Sequence, residues 1–274
     1  MSKKLFVLFL LSSVLFPTGA IANMVAHFID VGQGDCTVVQ SAGETLVIDT
    51  GSTEARAALE SHLKAYDINR IDTLVLTHPH EDHDGSLGFL VDSYPIGTLY
   101  MPEYADDEED YGGVLRRAVG QGTQIRYPAV GDQIIIGDAT ATVLSAGDPA
   151  LYPDDKNLWS IVLKIDDSAT SVIIMGDAED TNEYTMIDAG QDLDADILRV
   201  GHHGSYTSTS GAWLDAVTPD VAVISCGSGN EYGHPHQEVL NALYDRQITV
   251  LRTDTNGTIT VTIDNAAYTI ATEK

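Results

Sequence analysis

The nine residues Thr77–Gly85 constrain the fold and function of this 274-residue chain more than any other stretch. They follow the apolar run Ile71–Leu76 and include four side chains that commonly bind metals, in the spacing H-x-H-x-D-H: His78, His80, Asp82 and His83. The apolar run predicts a buried strand, whose end would hold these side chains on a rigid base. Imidazole suits zinc and its neighbours in the first transition row, and the carboxylate adds negative charge. The stretch therefore predicts a metal site at a strand end.

The segment Thr77–Gly85 also resembles the signature of the metallo-β-lactamase superfamily. The resemblance implies two divalent ions, the first bound by His78 and His80 and the second by Asp82 and His83. Zinc is the first choice for these ions and manganese is the alternative.

Two later apolar runs end in residues that the superfamily uses in the same order. Ser171–Met175 precedes Asp177, which the resemblance implies is the ligand shared by both ions. Ala195–Val200 precedes His202 and His203, one of which would supply the terminal histidine ligand. The sequence does not decide between these two histidines. We assign the ligand to His202 and a catalytic role to His203.

Strand-like and helical segments alternate along the chain, which predicts a mixed α/β protein. With 43% hydrophobic residues, the chain can bury the core of one large domain. The resemblance implies a more specific architecture, a single-domain αββα sandwich formed by residues 23–274 with the metals at the sheet edges. The individual predictions include a short helix at Val114–Val119, a strand at Trp159–Ile165 and a final strand at Thr258–Ile263.

Four further segments narrow the resemblance to the hydrolase domain of the ComEC family of competence proteins and its soluble relatives. In the order of that family they are Phe28–Asp35, Asn157–Leu163, Tyr232–Pro235 and Arg252–Asp254. The resemblance covers nearly all of residues 23–274, but the membrane-channel region of that family is missing. It therefore implies that this chain is the hydrolase alone.

The positions of the nine histidines favour one branch of the superfamily. None lies between His83 and His202, where β-lactamases and glyoxalase-type members place a third histidine for the first metal. The first site would then keep His78, His80 and Asp177, with an open position of the kind that a catalytic metal needs. The same lack is expected in branches that act on phosphodiesters, so a β-lactamase activity is disfavoured.

The remaining site residues are assigned from the resemblance and from their neighbours in the sequence. Asp49, at a predicted strand end, and Asp35 are expected to hydrogen-bond to the ligand loop and orient it. His234 and His236 flank a proline at a predicted helix start, where backbone N–H groups favour an anion; a helix cap is the alternative. We assign catalytic roles to Asp82, His203 and His234, and substrate contacts to His236, Ser205 and Asn157.

Residues 1–22 differ in character from the rest of the chain. Lys3 and Lys4 precede the apolar stretch Leu5–Phe16, and Ala20 and Ala22 offer small residues for cleavage. This pattern predicts a secretory signal peptide, with an uncleaved anchor as the alternative. We therefore expect a secreted or periplasmic protein with no stable membrane partner after cleavage. The sequence does not indicate an oligomeric state.

The chain is strongly acidic, with 14 basic and 41 acidic residues. Loss of residues 1–22 removes two lysines and no acids, which leaves a formal charge of −29. Such a surface repels nucleic acid at long range. DNA can therefore be a substrate only where the metals and a few basic residues reverse the field locally.

Two cysteines, Cys36 and Cys226, occur in a chain with a predicted export signal. An oxidising compartment permits one disulfide between them. Their separation of 190 residues says nothing about their distance in space, so paired and free thiols remain equal alternatives.

Together these features predict a hydrolase in which two divalent ions activate a water molecule. The ComEC resemblance favours a phosphodiester substrate, and DNA is one substrate of that kind. A small-molecule phosphodiester, or a lactone or other ester, would use the same site. A binding protein that retains metal without turnover is the alternative from another class, and it would require a broken ligand set.

Overall fold

A computed structural model describes residues 23–103, 109–167, 170–264 and 267–274. The predicted signal peptide, residues 1–22, lies outside these described residues. The strands are β1 Met24–Phe28, β2 Thr37–Ser41, β3 Glu44–Ile48, β4 Ile71–Val75, β5 Ile96–Tyr100, β6 Gln124–Arg126, β7 Gln133–Ile136, β8 Ala139–Ser145, β9 Val162–Asp167, β10 Thr170–Ile174, β11 Ile197–Arg199, β12 Val221–Ile224, β13 Thr249–Arg252, β14 Ile259–Asp264 and β15 Ala267–Thr272.

The helices lie between these strands, and two single 3₁₀ turns occupy Lys156–Trp159 and Gly201–Gly204. The α-helices are α1 Arg56–Ala65, α2 Glu81–Asp84, α3 Leu87–Ser93, α4 Glu109–Gly120, α5 Asp180–Asp188, α6 Gly211–Val217, α7 Gln237–Asp245 and α8 Thr253–Asn256. Within the described ranges, none of these helices combines the length and the apolar character that crossing a lipid bilayer requires.

The strands form two sheets, of order β15-β14-β1-β2-β3-β4-β5-β6 and β13-β12-β11-β10-β9-β8-β7. In the first sheet β3 to β6 run parallel, and in the second sheet β10 to β13 do. Parallel neighbours run in the same direction, so the loops after β3 and β4 share one edge of the first sheet. The loops after β10, β11 and β12 likewise share one edge of the second sheet.

The core has three apolar layers, which follow from the alternation of side chains along each strand. On β2, Val39 packs between the two sheets, whereas Val38 packs against the helices outside the first sheet. On β10, Ile174 faces the inner layer and Ile173 the layer outside the second sheet. Helices α1, α3 and α4 cover the first sheet, and α5, α6 and α7 cover the second. The predicted αββα sandwich is therefore confirmed.

Several elements differ from their predictions, and β6, α5 and α6 were not predicted. The helix predicted at Val114–Val119 is the longer α4. Trp159 does not begin a strand: it ends a 3₁₀ turn, and its indole N–H donates a hydrogen bond to the carbonyl of Tyr152 at 2.7 Å. Strand β15 was not predicted, although it pairs with β14 along its full length. Its side chains are exposed or half-buried, and its apolar pattern is limited to Tyr268 and Ile270, which pack against the inner core.

Cys36 and Cys226 are both buried free thiols, so the structure favours the free alternative over a disulfide. Cys36 packs in the layer outside the first sheet, and Cys226 packs in the layer outside the second. Each thiol is therefore enclosed by the apolar side chains of its own layer, and the pair does not have the geometry of a disulfide.

Candidate metal centre

Four strand ends deliver side chains to the edge where the two sheets meet. In the first sheet, β3 is followed by Asp49 and β4 by the ligand loop, residues 77–85. In the second sheet, β10 is followed by Asp177 and β11 by the pair His202 and His203. The carboxyl ends of parallel strands thus position the groups of the centre on rigid supports.

The backbones approach each other closely at this edge. Gly176, just before Asp177, has a φ of +55°, and a Cβ added there would lie 2.8 Å from the side chain of Thr77. Glycine alone tolerates both the backbone conformation and the close approach. His202 and His203 also have positive φ values, 48° and 53°. Such conformations cost roughly 1–3 kcal/mol each for a non-glycine residue and cluster at functional sites.

Three side chains form a first cluster of metal-binding atoms. His78 Nε2 lies 2.9 Å from His80 Nδ1 and 3.8 Å from Asp177 Oδ2. His78 and Asp177 are buried, whereas His80 is partly exposed. The cluster offers three protein donors within 4.8 Å of one another, so a tetrahedral ion there would keep one position open.

A second cluster consists of Asp82, His83 and His203. His203 Nε2 lies 3.2 Å from Asp82 Oδ2 and 3.3 Å from His83 Nε2. Asp177 Oδ1 lies 3.1 Å from His83 Nε2 and 3.5 Å from His203 Nε2. Asp177 thus presents Oδ2 to the first cluster and Oδ1 to the second, which is the geometry of a carboxylate shared by two ions.

The geometry exchanges the roles that were assigned to the two consecutive histidines. His203, which was assigned a catalytic role, lies in the second cluster. His202, which was assigned as a ligand, directs Nδ1 at Glu179 Oε1, 3.1 Å away, and its Nε2 lies 3.7 Å from Asp177 Oδ2. The assignment is corrected accordingly, because the left-handed turn that separates the two imidazoles cannot be read from the residue types.

The tautomers of the histidines show whether these residues fit a metal. His83 Nδ1 donates to Asp49 Oδ2 at 2.8 Å, and His203 Nδ1 donates to the carbonyl of Ser225 at 2.9 Å. A neutral imidazole that donates from Nδ1 carries a lone pair on Nε2. The two Nε2 atoms therefore direct lone pairs toward each other, and the buried Asp177 Oδ1 beside them accepts no hydrogen bond. Nitrogen and oxygen atoms that direct lone pairs at one point without a proton between them favour a cation there, so these residues fit a divalent ion.

The electrostatics of the centre favour positive charge at the same place. Burial opposes the protonated form of His83, but Asp177 and Asp49 raise its pKa well above its usual value. Burial opposes the ionised form of Asp177 and by itself raises its pKa, but His203 and His83 hold the pKa well below the usual range. A proton and a metal ion therefore compete for His83 Nε2. His78 is kept neutral, because burial and the nearby His83 lower its pKa well below the usual value.

Asp82 also stays ionised: burial raises its pKa, but the contact with His203 and the charge of His83 outweigh burial, so the pKa is lowered. An ionised Asp82 is the hard, negatively charged donor that the sequence motif led us to expect at this position.

Asp49 orients ligands of both clusters through one buried carboxylate. Oδ1 accepts from the backbone N–H of Thr77 and Oδ2 from the Thr77 hydroxyl, both at 2.8 Å, in addition to the bond from His83. Because the hydroxyl gives its proton to Asp49, it accepts from His78 Nδ1 at 3.1 Å. The Nε2 atom of His78 is therefore left with a lone pair toward the first cluster. This contact is the kind that raises metal affinity from outside the ligand set.

Asp35 acts on the centre through Arg199, which the sequence analysis missed. Arg199 is fully buried, lies 2.7 Å from Asp35 Oδ2 and donates to the carbonyl of Gly176 at 2.6 Å. It thereby braces the turn that presents Asp177. Asp35 and Asp49 also form a third group of ligand-type atoms with His83, but Arg199 and the hydrogen bonds to Asp49 account for it. A lone arginine within the apolar strand β11 was the available signal.

Glu179 is a second residue that the sequence analysis missed. Its Oε1 accepts hydrogen bonds from His202 Nδ1 at 3.1 Å, Thr207 Oγ1 at 3.0 Å and Asn157 Nδ2 at 3.2 Å. Burial lowers the pKa of His202, but the bond to Glu179 and the charge of Asp177 raise it above its usual value overall. Glu179 thus fixes the ring of His202 beside the centre.

A cleft of about 900 Å³ opens over the centre, and the predicted residues Asn157 and His234 line it. Burial and three neighbouring histidines lower the pKa of His234 to about 4, so it is neutral near neutral pH. His236 and Ser205 do not line the cleft, contrary to their assignment as substrate contacts. His236 Nδ1 accepts from the backbone N–H of Tyr206, and Ser205 is buried. Both accept hydrogen bonds from backbone N–H groups of Tyr206 and Thr207.

Comparison with known proteins places these features in a family context. A family model described as the metallo-beta-lactamase superfamily matches residues 29–228. The chain is 34% identical over 261 residues to ComE operon protein 3 of Bacillus subtilis (strain 168), which covers 89% of this chain and 33% of that protein. It is 33% identical over 233 residues to competence protein ComA of Neisseria gonorrhoeae. This match covers 84% of this chain and 31% of that protein. The chain thus spans about a third of the length of these curated relatives.

A solved structure gives a matching result for the fold. The metallo-beta-lactamase fold protein YhfI from Bacillus subtilis superposes with a TM-score of 0.56 at 14% sequence identity. The match covers 83% of this chain and 95% of that protein. At this identity the similarity concerns the fold alone.

Proposed function

The chain belongs to the metallo-β-lactamase superfamily, and from this membership we propose that it is a secreted metal-dependent hydrolase of phosphodiesters. The predicted resemblance of Thr77–Gly85 to the superfamily is confirmed, as is the similarity to competence proteins. Membership implies a hydrolase with divalent metal ions. The phosphodiester substrate, the zinc and the export are our proposals.

One observation carries this proposal: Asp177 presents one carboxylate oxygen to each of the two clusters. Two divalent ions held in this way would supply an activated water molecule and Lewis-acid stabilisation of the substrate oxygens. His78 and His80 would hold the first ion, and Asp82, His83 and His203 the second. Zinc suits such imidazole-rich donor sets, and manganese remains the alternative.

The kinds of donor in the first cluster, two histidines and Asp177 without a third histidine, support a phosphodiester over a β-lactam. The first cluster has only three protein donors, which leaves a position where a non-bridging phosphate oxygen can bind. One curated relative is named a competence protein, which is consistent with a nucleic-acid substrate for this chain.

We assign the protonation of the leaving oxygen to His202 rather than to His203 or His234. Glu179 accepts from Nδ1 and orients the ring so that Nε2 lies beside Asp177 at the edge of the cleft. A second proton on this ring would make Nε2 a donor to the leaving oxygen. His203 is committed to the second cluster, and His234 is neutral at neutral pH.

A small-molecule phosphodiester is the second candidate substrate, and the charge of the cleft favours it. The residues that line the cleft in the described part of the chain include Glu54, Glu81 and Glu231 but neither lysine nor arginine. A polyanion approaching this cleft meets repulsion everywhere except at the metals. A small diester that carries one negative charge avoids most of that cost.

The proposal is tested by a substrate screen on protein purified from cells that express the full chain. Zinc-loaded and manganese-loaded samples are offered bis-p-nitrophenyl phosphate, single-stranded DNA, a lactone and a β-lactam. We expect turnover of a phosphodiester, reduced at least roughly 100-fold in Asp82→Asn, which keeps the shape but loses the charge of a ligand. Turnover of the lactone alone would overturn the proposal. Sequencing the N-terminus of the recovered protein checks the predicted cleavage after residue 22.

A further inference from the structure

Three rings lie in near-parallel succession between the second cluster and solvent. The ring of His234 is 6.1 Å from that of His203, with an interplanar angle of 25°. The ring of Tyr232 is 5.7 Å from that of His234, with an interplanar angle of 22°. These separations are those of offset-stacked aromatic pairs. The stack therefore links a candidate metal ligand to a tyrosine at the mouth of the cleft.

Tyr232 has an open face although it lines the cleft. Its side chain is 60% exposed, and His234 is the ring that it contacts among the described residues. A large aromatic ring exposed at the edge of a reaction site is available for another flat ring. A flat ring bound on the open face of Tyr232 would become the fourth ring of the stack.

The loop that carries Tyr232 is held in place by its own hydrogen bonds. Asn230 Nδ2 donates to the carbonyl of His234 at 2.7 Å and to that of Gly227 at 2.9 Å. Asn230 Oδ1 accepts from the backbone N–H of His234 at 3.0 Å. Because Asn230 closes the loop from both sides, Tyr232 is presented in a fixed position, which lowers the entropic cost of binding a ring.

The charge of the cleft limits the kinds of contact that a nucleotide can make there. With acidic residues and no lysine or arginine among the lining residues of the described chain, the cleft offers a phosphate backbone little positive charge outside the metals. Stacking on an aromatic ring is a source of affinity that needs no positive charge. A base inside a duplex is stacked on both faces by its neighbours, so the ligand must be a base that has left the duplex stack, as an unpaired base has.

We propose that Tyr232, stacked on His234, binds an unpaired nucleobase next to the phosphodiester that is cleaved. This inference rests on the proposed function and narrows it to nucleotide phosphodiesters with a free base. Tyr232 would then determine specificity for single strands, while the metals and their ligands carry out the reaction.

A binding experiment tests this inference without turnover. A phosphorothioate single strand that contains 2-aminopurine, which resists hydrolysis, is titrated with the metal-loaded protein while its fluorescence is followed. We expect quenching on binding, because a stacked 2-aminopurine is quenched. Tyr232→Ala should weaken binding by roughly tenfold to one-hundredfold and remove the quenching, whereas Tyr232→Phe should retain both. Tyr244→Ala, which removes a tyrosine of similar exposure on α7, should bind as the wild type does.

The outcomes separate this inference from the proposed function. Equal binding and quenching by Tyr232→Ala and the wild type would overturn the stacking role, as would no binding by the wild type. The same proteins are then assayed with single-stranded DNA and bis-p-nitrophenyl phosphate. If the wild type hydrolyses neither compound yet quenches 2-aminopurine through Tyr232, the proposed function fails and the stacking role stands. If it hydrolyses the small diester but neither binds nor cleaves the single strand, the stacking role fails and the phosphodiesterase stands.

Discussion

His202 and His203 are neighbours in the chain, yet they contact different groups, because both adopt left-handed backbone conformations. His203 Nε2 lies 3.2 Å from Asp82, whereas His202 Nδ1 lies 3.1 Å from Glu179. The histidines and Asp82 of the motif Thr77–Gly85 lie in two clusters of metal-binding atoms, and local spacing is enough to define that pattern. The choice between His202 and His203 depends on φ values and on a glutamate from another loop, and neither can be derived from residue types.

Substitution of these two histidines should separate metal binding from turnover. His203→Ala removes a donor from the second cluster, so we expect the metal content to fall from two ions toward one. His202→Ala should keep both ions, while phosphodiester turnover falls by roughly 100-fold to 10,000-fold, as expected for the loss of a proton donor. Elemental analysis and kinetics on the same samples measure both effects. Equal metal loss in the two variants would contradict the assignment.

Strand β1, strand β14 and the end of α1 meet at a buried histidine outside the metal centre. His27 on β1 stacks on Tyr66, with ring centroids 3.8 Å apart, and its Nδ1 is 3.0 Å from Thr260 Oγ1 on β14. Burial, helped by the nearby His62 and opposed by Gln40, lowers the pKa of His27 to about 4. This junction holds the first strand of the larger sheet to the helix that follows β3.

The lowered pKa of His27 predicts that the folded protein loses stability as the pH falls. The unfolded chain binds a proton near pH 6.5 and the folded chain only near pH 4, so this contribution to stability is complete above pH 6.5 and is lost as the pH falls toward 4. The loss amounts to about 3 kcal/mol. His27→Phe keeps a ring on Tyr66 but cannot titrate. Denaturant unfolding of both proteins between pH 7 and pH 4 should show the wild type losing about this much more stability; parallel profiles would contradict the prediction.

The secondary-structure elements differ in how well the sequence predicts them. The strands that precede the ligands, β4, β10 and β11, were predicted because they lie inside the sheets and most of their residues are apolar. Strand β15 was missed because it lies at a sheet edge and none of its side chains is fully buried, so the alternation of Tyr268 and Ile270 is short and weak. Arg199 on β11 was also missed as a site residue, since its partner Asp35 is distant in the sequence. Periodicity predicts burial, but it does not predict which distant polar groups pair.

At the scale of the whole molecule, the sandwich separates three apolar layers and places the acidic surface outside them. The full chain has a formal charge of −27, and acidic residues extend into the cleft. The αββα architecture followed from the resemblance, whereas composition and periodicity supported only a mixed α/β protein. The layers also explain the cysteines, because Cys36 and Cys226 pack on the outer sides of different sheets.

We expect both cysteines to remain free thiols even after export. Burial, together with Asp35 and Asp49, raises the pKa of the Cys36 thiol well above its usual value, and burial raises that of Cys226 to about 11. Both thiols are therefore protonated and unreactive in the folded protein. Alkylation followed by mass measurement should modify two thiols after unfolding without reductant and none before unfolding. A mass that changes only when reductant is added would reveal a disulfide instead.

The central claim is that two ions share Asp177, and metal stoichiometry tests it most directly. Protein from cells that express the full chain is passed through metal-free buffer and analysed for metal, together with Asp177→Ala and the exposed control Asp245→Asn. We predict two ions per chain in the wild type and the control, and loss of both ions together in Asp177→Ala. Two ions retained by Asp177→Ala, or the loss of only one, would contradict a shared ligand.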